Sequence, residues 1–71
     1  MTSTEIVFEV HQEEDGGFWA QALGSDIFTQ ADTWDELKKN VREAVSVHFD
    51  EGEAVPKSIR LHFVRDEVIA L

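Results

Sequence analysis

The sequence predicts a small α+β domain of order β-β-β-α-β, with one helix laid across one face of a mainly antiparallel sheet. Three observations carry this expectation. An alternating run, residues 5–11, and a largely apolar run, residues 18–23, stand on either side of Asp15-Gly16-Gly17. A complete helix start, Thr33-Trp34-Asp35-Glu36, opens a stretch of helical periodicity. A last alternating run, residues 58–64, follows Pro56. At 71 residues the chain has room for one domain, residues 1–71.

In the first run Ile6, Phe8 and Val10 share one face of a strand. Glu5, Val7, Glu9 and His11 share the other, the solvent face. Residues 12–17 are polar and end in glycine, so the first two strands read as a hairpin with a loop longer than two residues. In the second run Phe18, Ala20 and Ala22 lie on one face, with Trp19 and Leu23 on the opposite one. Gly24-Ser25-Asp26 breaks the chain before a short third strand, residues 27–30.

The helix is predicted from Trp34 to about Asp50. Thr33 caps the amide of Glu36, and Glu36 reaches back to the amide of Thr33. Asp35 and Glu36 also suit the positive end of the helix dipole. Trp34, Leu37, Val41, Ala44, Val45 and His48 follow the spacing of one buried stripe. Gly52 stands where a left-handed C-terminal cap belongs, and Pro56 keeps the helix from resuming. In the last run Ile59, Leu61 and Phe63 point inward. Residues 67–71 are apolar and read either as a fifth short strand or as a contact for another chain.

Fifteen acids face six bases, a formal charge of −9. Nucleic-acid affinity comes largely from neutralising phosphates, so direct DNA or RNA binding is not expected. The same charge favours a basic protein partner. There is no cysteine, which excludes disulfides and thiolate metal sites. No apolar run approaches the roughly 20 residues of a membrane helix. Met1-Thr2-Ser3-Thr4-Glu5 lacks the basic and apolar regions of a secretory signal, so the expected location is the cytoplasm.

No constellation points to catalysis. A phosphate-binding glycine loop joins a strand to a helix, whereas Gly16-Gly17 joins two strands and follows three acids. That loop is too short to supply six calcium ligands. His11, His48 and His62 show no metal-ligand spacing, and Ser3, Ser25, Ser46 and Ser58 lack the setting of an activated nucleophile. The expectation is a non-enzyme with no cofactor and no metal. Trp34 begins the helix stripe and belongs to the core. Trp19 lies on the opposite face from Phe18 and Ala20, and a one-helix sheet leaves one face uncovered. Trp19 is therefore a candidate for a partner or subunit interface, together with Val68, Ile69 and Leu71 of the apolar segment. A core this thin also favours a homo-oligomer, a dimer or higher.

Asp15-Gly16-Gly17-Phe18 and the run Phe28-Thr29-Gln30-Ala31-Asp32-Thr33 leading into Trp34-Asp35-Glu36-Leu37 resemble the HicB-like antitoxin family. The resemblance covers roughly residues 5–50. It implies a partial RNase-H-like fold without a nuclease site. It implies a protein-binding role in which the domain masks a small basic HicA-like toxin that cleaves RNA. Many family members continue into a DNA-binding segment. This sequence carries none after its last strand, so operator binding is not expected. The alternative is an orphan homo-oligomeric structural or ligand-binding domain.

Overall fold

A computed structural model describes residues 5–49 and 55–71. The elements are β1 (Glu5–Gln12), β2 (Phe18–Ala22), β3 (Phe28–Ala31), α1 (Trp34–His48) and β4 (Ser58–Val64). They form a four-stranded mixed sheet of order β3-β2-β1-β4 with the helix on one face. The α+β class and the predicted order hold. The β1–β2 and β2–β3 pairs are antiparallel, and β4 runs parallel to β1. Residues 67–71 join no strand, so the fifth strand is absent among the described residues.

The hairpin tip is a backbone turn. Gly16 N–H donates to Glu13 O at 3.0 Å, and Gly16 has φ +96°, a conformation a side chain would strain. Gly17 N–H donates to Asp15 Oδ1 at 2.9 Å, so an acid of the loop serves the turn itself. Gly24, at φ +83°, makes the second reversal, closed by Ala22 N–H donating to Ile27 O at 2.9 Å.

Thr33 caps the helix as expected, its Oγ1 accepting from Glu36 N at 3.2 Å. The return arm differs by one residue. Glu36 Oε1 accepts from the amide of Asp32, not of Thr33, at 3.2 Å. The helix ends at His48, where Phe49 N–H donates to Val45 O at 3.1 Å. Asp50 and Gly52, the predicted end and cap, lie outside the described residues.

The core is Ile6, Phe8 and Val10 from β1, Ala20 and Ala22 from β2, Ile27 before β3, and Leu37, Val41 and Val45 from α1. Alternation on the strands and helical spacing on α1 place them all in one layer between sheet and helix. His48, expected on or beside the stripe, is exposed. Its ring meets Phe49 edge-on, centroids 5.0 Å apart, and Phe49 packs against the core. Ile59 and Leu61 are half-buried. Phe63 points inward but is 41% exposed, packed against Phe18 and Trp34 at centroid distances of 6.1 and 5.7 Å.

Candidate functional site: the helix-free sheet face

Side chains that alternate away from the core meet on the uncovered face. The antiparallel register sets His11 of β1 beside Trp19 of β2. Phe28 of β3 pairs with Gln21, one diagonal step from Trp19. The rings form a ribbon across three strands. Trp19 stacks on His11 with centroids 4.3 Å apart and planes 11° apart, and on Phe28 at 5.9 Å and 28°. His11 and Trp19 are half-buried, while Phe28 stays 58% exposed. A hydrogen bond holds the ribbon's end, between His11 Nε2 and Glu9 Oε1 at 2.7 Å. With a carboxylate as acceptor, Nε2–H is the donor, which fixes the ring's tilt under the indole.

The ribbon continues at His11 into an open cleft of about 330 Å³ at the hairpin end of the sheet. Glu13 and Glu14 line it from the turn, and Val64, Arg65 and Asp66 from the end of β4. A neighbouring cleft of about 360 Å³ holds Glu13, Asp15, Asp32 and Glu36. The acids thus gather at one end of the molecule, because the β1–β2 turn, the end of β3 and the helix start all lie there. At the opposite end of the sheet Glu5 is tied to Arg60, with Oε1 to Nε at 2.7 Å and Oε2 to Nη2 at 3.1 Å. Arg60 holds the Glu5 carboxyl below its ordinary pKa, chiefly by hydrogen bonding, and Glu5 raises that of Arg60.

Trp19 therefore lies where the sequence placed it, on the uncovered face. Val68, Ile69 and Leu71 are exposed and are not brought to Trp19. His11 and Phe28 are the additions. Their signal was alternation: both fall on the same face as Trp19 once the pairing register is known. His62 pairs in register with Glu9 on this face. Among the described residues no group of three His, Asp or Glu side chains is placed to hold a metal ion. A hollow of about 470 Å³ along β3 and α1 is an open trough lined by Asp26, Asn40, Glu43 and His48 among others. No described helix is long and apolar enough to cross a membrane.

A UPF0150 protein of Thermotoga maritima is 46% identical over 70 residues, covering 99% of this chain and 97% of that protein. A UPF0150 protein of Archaeoglobus fulgidus is 52% identical over 48 residues, 68% of this chain and 71% of that protein. No family model and no solved structure matches the chain.

Proposed function

From the premise that the chain belongs to the UPF0150 family, we propose that the protein is a non-catalytic, cytoplasmic protein-binding module whose partner is a small basic protein. The observation that carries this reading is the His11–Trp19–Phe28 ribbon on a sheet face that no described element covers. Tryptophan and its stacked neighbours supply a rigid apolar anchor of the kind that dominates interface energetics. The acids next to it set the partner's charge. Glu13, Glu14 and Asp66 border the cleft that continues the ribbon, so lysine or arginine of a docked protein would enter beside His11. The resemblance to HicB-like antitoxins supports the same partner class, an RNA-cleaving HicA-like toxin masked by this face.

The test is affinity purification of the tagged protein from its native cell, followed by RNA cleavage by any stoichiometric small basic protein recovered. The expected result is cleavage by the partner alone and its suppression by this protein. Trp19→Ser should weaken that suppression while leaving the fold intact. A recovered protein that neither cleaves RNA nor is inhibited would remove the antitoxin reading. A second reading, a homo-oligomeric structural domain, is favoured by a separate observation: Val68 and Ile69 are 96% and 75% exposed, and Leu71 is fully so.

A further inference from the structure

The six bases of this acidic chain are not spread evenly. Three of them, Lys38, Arg42 and Lys57, border a groove between α1 and the edge strand β4. Its upper part is a cleft of about 130 Å³ with Val41, Ile59 and Leu61 as its floor and Lys38 and Arg42 as its rim. It continues past Arg42 toward Val45 and Lys57. The groove exists because α1 packs over β1, β2 and β3 and leaves β4 incompletely covered, which is why Ile59 and Leu61 are only half-buried. Lys38 has one ion pair, to Asp35 at 3.5 Å, with both partners well exposed. Exposed pairs of this kind hold weakly and exchange readily. Arg42 and Lys57 have no ion pair among the described residues.

The segment that follows β4 has the complementary pattern. Asp66-Glu67 supplies two acids, and Val68, Ile69 and Leu71 supply exposed apolar side chains with nothing to pack on. We propose that this segment docks in the α1–β4 groove of a second copy, and that two copies exchange segments reciprocally as a two-fold dimer. Asp66 and Glu67 meet the Lys38–Arg42 rim, and the apolar residues cover the half-buried Ile59 and Leu61. Extended, residues 66–71 span about 17 Å at roughly 3.3 Å per residue. The groove from Lys38 to Val45 runs about 10 Å at 1.5 Å per helical residue, so the segment is long enough to fill it.

Two features favour a second copy over the segment's own groove. Arg65 and Asp66 border the cleft at the hairpin end, so the chain leaves the sheet away from Ile59 at the start of β4 and Leu61 at its middle. Returning would need a tight reversal directly after Val64, where Asp66 is the one turn-forming residue and no glycine or proline assists it. Self-association must also overcome repulsion between two chains of charge −9 each. The exchange does so by placing the acids of one copy on the basic patch of the other. A two-fold contact makes every such pairing twice.

This inference deepens the homo-oligomeric reading and does not depend on a toxin partner. It is tested by sedimentation of the whole chain across a wide concentration range. The expected species is a dimer at high concentration. Ile69→Asp with Leu71→Asp should raise its dissociation constant about tenfold or more, with an unchanged far-ultraviolet circular dichroism spectrum. Arg42→Glu should do the same, and adding Asp66→Lys and Glu67→Lys to Arg42→Glu should restore the dimer. Mixing the Ile69/Leu71 variant with the Arg42 variant should yield a heterodimer, because one intact segment and one intact groove remain. A wild-type chain that stays monomeric overturns the exchange, including one whose segment folds onto its own groove. A dimer indifferent to both sets of substitutions overturns it too, while leaving self-association through another surface.

Discussion

Thr33 and Gly16 decide how two elements begin and end, through single atoms. Thr33 Oγ1 satisfies one of the amides that a helix start leaves without partners. Thr33→Ala should lower stability by about 1 kcal/mol, read from the shift in denaturant midpoint. Gly16 has open space for a side chain but φ +96°. Gly16→Ala should therefore destabilise through backbone strain alone, by about 1 kcal/mol. Trp19 behaves differently from Leu37. Leu37 is fully buried, so Leu37→Ala should cost about 2–5 kcal/mol. Trp19→Ser should cost less, about 1 kcal/mol from the lost ring stacking, and its larger effect should be on partner binding, since the ring lies on the uncovered face. At this scale the sequence was largely legible. The cap, the side of Trp19 and the core residues of β1, β2 and α1 follow from spacing, whereas Ile27 lies in the core outside any strand and His48 falls off the stripe. The return arm of the capping box did not, because Glu36 has two amides within reach and side-chain geometry chooses Asp32.

At the scale of elements, β4 is the least determined and the most consequential. Its alternation predicted a strand with Ile59, Leu61 and Phe63 inward, and the structure places them so. Nothing local predicted its parallel pairing with β1. The long β3–α1–β4 connection permits either direction, and the choice is made by where the helix can bury its stripe. Once β4 lies at the edge beside β1, Glu5 and Arg60 meet across the two strands. The Glu5 carboxyl is held below its ordinary pKa, so the pair's contribution is present above the unfolded carboxyl's value. It is lost as pH falls through the lowered folded value. Denaturant midpoints of wild type and Glu5→Gln should differ slightly at neutral pH and converge in acid. Both side chains are exposed, so the difference will be small.

The whole molecule is a half-covered sheet. One face buries a core against α1, and the other presents the aromatic ribbon beside an acidic end. A single helix cannot cover both faces of a sheet, so the architecture leaves the ribbon face open to solvent among the described residues. Removing residues 67–71 should lower the oligomeric state, measured by sedimentation, without altering the circular dichroism of residues packed elsewhere. A substitution confined to the ribbon should leave that state unchanged.

The sequence by itself determined the class, the order of elements, most of the core (Ile27 joins it and His48 does not) and the uncovered position of Trp19. These depend on period, capping and turn chemistry, which act over a few residues. Only the tertiary structure decided which strands lie at the edges, that His11 and Phe28 stack on Trp19, and that Lys38, Arg42 and Lys57 share a groove. Those residues are distant in sequence, and their meeting depends on strand register and on the path of the helix, which are set by packing of the whole chain.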